Sequence, residues 1–342
     1  MLTMGKGSLN IYTTEDTHTH IHIRGFPMND LQVIPATRAG AVATTQTITA
    51  GLYSRFISYI DAKPKTIETY TRALKQFFLY LSLNGISQPT RQDILAFRDE
   101  LKQAHKPTTV QSYITTVRLF FQWAAQEGIY KNIAEHIKGA KLDREHKKDY
   151  LTSKQVKAIL GSIERDTAQG LRDYAIMVLM ITGGLRTIEV IRANIEDLRT
   201  AGDSTALFIQ GKGKEEKTDY VKLAEPTEQA VRAYLLAVGT PEPGKPLFTS
   251  EANKNHGGRL TTRSISRIVK TRLKQAGFNS DRLTAHSLRH TAGTLNLLNG
   301  GSLEETQQLL RHGNINTTMV YAHHLQRAKN NSEARIARAI FG

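Results

Sequence analysis

From about residue 47, apolar and polar positions recur at a spacing of three and four. In Thr66–Ile86, "TIETYTRALKQFFLYLSLNGI", apolar residues fall at 67, 70, 74, 77, 78 and 81, which predicts an amphipathic helix stopped by Gly85. Thr109–Ile129, "TVQSYITTVRLFFQWAAQEGI", repeats that layout 43 residues later. Tyr70 corresponds to Tyr113, Phe77-Phe78 to Phe120-Phe121, Tyr80 to Trp123, and Gly85-Ile86 to Gly128-Ile129. "KPKT" at Lys63 and "KPTT" at Lys106 introduce the two segments. The proline blocks continuation from upstream, and the Thr behind it is the expected cap. With the helical stretch "TRQDILAFRDELKQA" between them, residues 46–137 are expected to form a small all-α domain.

Residues 138–149, "KGAKLDREHKKD", carry five basic and three acidic groups and a single large apolar residue, Leu142, the composition of a linker. Beyond it, Tyr150–Leu160 opens a second domain, 150–342, with Thr152 or Ser153 as helix cap. "LRDYAIMVLMITGG" predicts a buried helix ended by Gly183-Gly184. Ala206–Leu223 reads as two strands joined by a Gly/Lys-rich turn. Helical spacing returns at Thr227–Val238, Thr262–Ala276, His286–Asn299 and Ser302–Leu310. A tail helix over 332–342, with Ser332 as cap, carries an apolar stripe of Ile336/Ile340 and Ala337/Phe341. The expected fold class is mainly α with a small antiparallel β-sheet.

The first 45 residues stand apart as an N-terminal extension. "THTHIHIRG" alternates like a short strand and places His18, His20 and His22 on one face. No carboxylate or cysteine partner lies at ligand spacing, so a floppy or accessory segment is favoured over a metal site.

Charge sharpens this picture. Lys+Arg 46 against Asp+Glu 31 gives +15. Residues 1–45 hold three basic groups (Lys6, Arg24, Arg38) and three acidic ones (Glu15, Asp16, Asp30), so the whole excess lies in 46–342. Such an excess implies a polyanionic partner. A membrane surface would call for a strongly basic amphipathic helix, and none stands out. The longest apolar run, Tyr174–Ile181, is far short of the ~20 residues of a membrane span. Without an apolar signal core in the first 30 residues, a soluble, cytoplasmic protein is expected, nucleoid-associated if prokaryotic. The absence of cysteine excludes disulfides, zinc–thiolate sites and a thiol nucleophile.

Within the second domain, short stretches hold unusual basic groups. They are "TGGLRTIEVI" with Arg186 and Glu189, "IQGKGKEE" with Lys212 and Lys214, "TAHSLRHTAGT" with His286, Arg289 and His290, and "LLRHGNINTTMVYAHH" with His312 and Tyr321. Each alone has a bland explanation: an i, i+3 ion pair, a solvated turn, a capping pair, a half-core histidine. Together, two arginines, a lysine and two histidines around one tyrosine suit an anionic phosphorus centre, because guanidinium groups grip phosphate oxygens in bidentate fashion. They also suit a phenol nucleophile, since surrounding cations favour phenolate. No cluster of acidic ligands sits among these motifs, so the expected chemistry is metal-free phosphoryl transfer onto tyrosine, with no cofactor.

The ordered set "GLRTIE", "GKGK", "HSLRH" and "LLRHGNINTTMVY" resembles the tyrosine recombinase (phage integrase) family from about residue 47 to 324. The resemblance implies a SAM-like core-binding domain at 46–137 and a catalytic domain at 150–342, closing as a C-shaped clamp on double-stranded DNA. It implies that Arg186 and Arg289 bind the scissile phosphate, and that His286 and His312 contact its oxygens or tune proton transfer. Tyr321 would attack to leave a 3′-phosphotyrosyl link, and Lys212 would protonate the leaving 5′-hydroxyl, with Lys214 as runner-up. Glu189 fits an orienting role, and His290 a structural one. Arg311 departs from the pattern, where glycine is frequent, and adds a positive charge next to the site. Lys75 and Arg118, at matched positions of the helical repeat, are candidate DNA contacts. Exchange between duplexes through a Holliday junction implies a homotetramer, a dimer on each site, with the tail helix docked on a neighbour. An accessory directionality factor is a further candidate partner. Two readings compete: a relaxing type IB topoisomerase-like enzyme, and a DNA-binding architectural relic.

Overall fold

The computed structural model describes residues 50–142, 149–211, 214–239, 242–329 and 331–342. The expectations for residues 1–45, including His18, His20 and His22, and the role given to Lys212 fall outside the described residues. The chain divides into two compact units between Arg144 and Glu145, inside the stretch read as a linker.

The first unit holds helices α1 (Ala50–Tyr59), α2 (Pro64–Leu83), α3 (Arg91–Ala104) and α4 (Pro107–Gln126). The repeat seen in the sequence becomes α2 and α4, each 20 residues long. Both start on the proline itself, not behind it: Lys63 and Lys106 hold the N-cap positions, which corrects the expectation of a Thr cap. Proline suits the first helical position because its φ is preset and its missing N–H is one the helix cannot use there. Both helices close on a left-handed glycine, Gly85 (φ 64°) and Gly128 (φ 65°). The matched aromatics meet in one core. Phe77 stands edge-on to Phe97 (5.1 Å) and Phe121 (6.0 Å), and Phe120 to Phe56 (5.4 Å) and Phe78 (5.5 Å). Lys75 and Arg118 lie on the exposed faces of α2 and α4.

The second unit begins with α5 (Ser153–Gly161), where Thr152 is the cap and trades hydrogen bonds with Gln155. The buried helix α6 (Ala168–Thr182) is enclosed on every side from Ala175 to Ile181, hence its nearly unbroken apolar run. Asp173 on α6 is itself buried and accepts from Arg172 (2.8 Å) and from Arg272 (2.7 Å) of α9 (Thr262–Gln275). That pairing fixes the helix whose end leads into the site.

After α7 (Thr187–Arg192) come β1 (Leu198–Ala201), β2 (Ser204–Ile209) and β3 (Asp219–Lys222), an antiparallel sheet in the order β1-β2-β3. Leu198 pairs with Leu207 and Ile209 with Asp219. β1 is an addition to the expected two strands. It carries one large apolar residue in four, too little alternation to read, and joins β2 across Gly202 (φ 63°) and Asp203. Helices α8 (Glu225–Ala237), α10 (Ala285–Leu298), α11 (Leu303–Leu310), α12 (Asn316–Lys329) and α13 (Ser332–Phe341) complete the unit. Ser332 is the first residue of α13 and Asn331 holds its N-cap position, one residue earlier than expected. The α13 stripe faces solvent in the single chain, with Phe341 86% exposed. No helix of the described residues is long and apolar enough to cross a membrane.

Candidate active site

The site is built where the end of α6 meets the end of α11. Gly184 turns the chain at φ 58°, and a Cβ there would stand 2.8 Å from Leu310 Cδ2, so only glycine permits so close an approach. Two residues on, Arg186 holds the N-cap position of α7. Its backbone N–H donates to Glu189 Oε2 (2.8 Å) and its Nη1 to Oε1 (2.7 Å), in the manner of a capping box. The Glu189 side chain is fully buried.

Arg289, on α10, is 1% exposed, and its guanidinium donates to the carbonyls of Gly184 and Leu310. Arg311 ends α11 in the left-handed region (φ 51°, ψ 50°). Its Nη1 donates to Leu309 O (2.6 Å) and Gly183 O (3.2 Å), and its Nη2 to Gly184 O (3.0 Å) and Glu189 Oε2 (3.0 Å). Three guanidiniums thus converge on two short turns and one carboxylate. His312 follows directly, half-buried, with Nδ1 hydrogen-bonded to Thr318 Oγ1 at 2.9 Å.

Tyr321 sits on α12, 7% exposed, its ring nearly parallel to that of His312 (16°, centroids 6.3 Å apart). A 2.6 Å hydrogen bond joins its hydroxyl to His290 Nδ1, and His290 in turn stands edge-on to the exposed His286 at 4.5 Å. Tyr321 packs with Ala292 and Leu310 in a small apolar cluster apart from the main core. Moving its ring therefore leaves the main core intact.

Burial sets the electrostatics and the cations modulate it. Burial pushes the Tyr321 phenol up to about 12, against the pull of Arg289 and Arg186. That corrects the expectation of a phenolate favoured by surrounding cations: in the DNA-free arrangement desolvation outweighs them. Burial raises the Glu189 carboxyl, but Arg311 and then Arg186 outweigh it and hold the group below the usual carboxylate range. Burial, and after it the Arg186 charge, brings Arg289 down to about 9, so it stays a cation at neutral pH.

Burial, then Arg289, Arg186, Arg311 and His286, lowers the His312 imidazole to about 4. Its native pKa lies below its unfolded value of 6.5, so between the two the unfolded chain binds the extra proton. The His312 contribution to stability is present above pH 6.5 and disappears as pH falls toward 4. Denaturant midpoints at pH 7 and pH 5 should fall more for the wild type than for His312→Gln.

Of the residues singled out in the sequence, Arg186, Glu189, Arg289, His312 and Tyr321 come together, and His286 joins them through His290. Lys214 lines the same open cleft, of about 840 Å³, as Arg186, Arg311 and His312. Its Nζ donates to Asp219 Oδ2 at 2.8 Å. Two residues make contacts that the sequence by itself does not supply. His290, taken as structural, touches the phenol oxygen; its i, i+4 spacing from His286 on one helix face was the available signal. Arg311, taken as added charge alone, is woven into the backbone of both turns.

A family model described as "Phage integrase family" matches residues 149–327, more than half of the chain, and one described as "Phage integrase, N-terminal SAM-like domain" matches 54–128. Tyrosine recombinase XerD of Oceanobacillus iheyensis is 31% identical over 271 residues, covering 75% of this chain and 87% of that protein. Tyrosine recombinase XerD of Listeria monocytogenes serotype 4b is 29% identical, with the same coverage. Among solved structures, XerH site-specific recombinase bound to palindromic difH substrate, a post-cleavage complex, shares the fold. It has a TM-score of 0.63 at 21% identity, covering 77% of this chain and 78% of that one. A lambda integrase tetramer bound to a Holliday junction does so at a TM-score of 0.63 and 18% identity, covering 80% and 77%.

Proposed function

The chain belongs to the phage integrase family, and from that premise we propose that it is a site-specific DNA recombinase that cuts and rejoins duplex DNA through Tyr321. The observation that carries the reading is the convergence of Arg186, Arg289 and His312 beside one buried tyrosine, with Glu189 as the sole carboxylate bonded to the guanidiniums of Arg186 and Arg311 among the described residues. In the proposed reaction Arg186 and Arg289 bind the non-bridging oxygens of the scissile phosphate, and His286 and His312 hydrogen-bond the same group. The Tyr321 oxygen bonds to phosphorus, the bond from phosphorus to the 5′-oxygen breaks, and Lys212 supplies the proton that leaves with the 5′-hydroxyl. The phenol proton passes to a histidine; His290 Nδ1 is within hydrogen-bond reach of that oxygen.

Because the 3′-phosphotyrosyl ester keeps the energy of the phosphodiester, rejoining is the same reaction reversed by a 5′-hydroxyl, without ATP or metal. Exchange between two duplexes then takes four protomers and a Holliday junction, with the exposed stripe of α13 docked on a neighbour. Residues 46–137, with Lys75 and Arg118, would grip the duplex alongside 150–342.

Incubation with fragments of the source genome in EDTA, followed by denaturing capture of the protein, tests this. Covalently attached DNA is the expected result, and its sequence gives the target site. Retention of DNA only under native conditions would leave an architectural DNA-binding protein. The +15 charge adds a second expectation: log affinity should fall linearly with log salt, at about 0.9 per phosphate neutralised, and a flat salt response would argue against duplex DNA as the partner.

A further inference from the structure

Arg311 is held against two unfavourable features. Its backbone lies at φ 51°, where glycine alone adopts the conformation freely. Its buried Nε has no hydrogen-bond partner among the described residues. A glycine would remove both, so the side chain must do something that a glycine could not. Its two terminal nitrogens reach the carbonyls of Gly183, Gly184 and Leu309 and the Oε2 of Glu189. Gly183 and Gly184 lead into Arg186, and Leu309 leads into the corner before His312. Arg186 Nη1 bonds to the other carboxylate oxygen, and its Nη2 reaches the Arg311 carbonyl at 3.3 Å. With Oε2 taken by Arg311, the Arg186 guanidinium pairs with Glu189 at one point only, which keeps its remaining N–H groups for an incoming anion.

We propose that Arg311 is a positioning residue for the scissile-phosphate site: it shares the Glu189 carboxylate with Arg186 and bolts the turn that delivers Arg186 to the corner that delivers His312. What the fixed separation is for rests on the recombinase reading; the clamp itself does not. The planar fork matters more than the charge, because one ammonium cannot serve three carbonyls and a carboxylate in their observed directions. Arg311 is also one of the four groups whose positive charge bears on His312, with Arg289, Arg186 and His286, so its loss reaches the imidazole directly.

The test compares wild type, Arg311→Gly and Arg311→Lys. Glycine suits the backbone at this position, which offsets part of the loss of the side-chain bonds, and urea denaturation shows that the first variant is folded before its rate is read. On trapped target DNA at saturation, adduct formation should slow by about 10- to 100-fold in Arg311→Gly, the scale of a small misplacement of reacting groups. DNA affinity should change by no more than about threefold, since the backbone contacts that dominate it are untouched. Arg311→Lys should stay close to the glycine variant. In the DNA-free proteins, NMR titration should show the His312 pKa higher in Arg311→Gly than in wild type. Cleavage at the wild-type rate by Arg311→Gly, full recovery in Arg311→Lys, or an unchanged His312 titration would each overturn the proposal. A wild type that forms no adduct overturns the recombinase reading; the His312 titration of Arg311→Lys, which keeps the charge but not the fork, then decides the role of Arg311, and a wild-type value there overturns the clamp.

Discussion

Tyr321→Phe will abolish covalent capture of DNA and leave DNA binding close to the wild-type level. Removal of the proposed attacking oxygen should cost at least about 10⁴-fold in adduct formation, by comparison with nucleophile deletions in other enzymes. The variant is a clean one. The ring keeps its place beside Ala292 and Leu310, and the hydrogen bond to His290 is lost, about 0.5–1.5 kcal/mol net. Denaturing gels of trapped complexes measure the first effect, and native shift assays the second. Adducts that persist in Tyr321→Phe and vanish in Tyr220→Phe would move the nucleophile to the half-exposed tyrosine that lines the cleft.

The second large effect belongs to Arg289. Arg289→Lys should slow adduct formation by about 10²–10³-fold, the loss of one preorganised donor at a charged transition state. It should also destabilise the second unit by about 1–3 kcal/mol, because a lysine cannot reproduce both donations, to Leu310 O and to Gly184 O, the second of which also accepts from Arg311. Thermal or urea denaturation reads that loss. Arg186→Lys makes the contrast: its side chain is 27% exposed and water can replace what is lost, so its rate should fall comparably with a smaller stability change. Equal destabilisation by the two variants would mean that Arg289 is no more deeply built into the turns than Arg186.

Much of this was legible along the chain. Helix limits follow from local chemistry: proline at the start of α2 and α4, glycine at their ends, and Thr152 ahead of α5. The aromatic repeat named the core of the first unit, because the same few positions must face inward wherever a 3.6-residue period holds. Arg186 and Glu189 were paired by their spacing alone. The errors also have physical causes. β1 was missed because a short, half-exposed strand carries little alternation and is held by its partner, β2. The phenol of Tyr321 was expected to be pulled toward ionisation, since neighbouring charges can be counted in a sequence and desolvation cannot.

By itself, then, the sequence determined the helical framework, the basic surplus beyond residue 45 and the choice of candidate reactive groups, all of which depend on residue type and spacing. Tertiary structure alone decided that Tyr321 is buried against His290, that Arg289 is sealed between two backbone turns, and that Arg311 divides a carboxylate with Arg186. Each of these is a meeting of segments that lie 31, 105, 21 and 122 residues apart in the chain. Local propensity has no information about such distances; packing of α6, α10 and α11 around Gly184 and Leu310 supplies it.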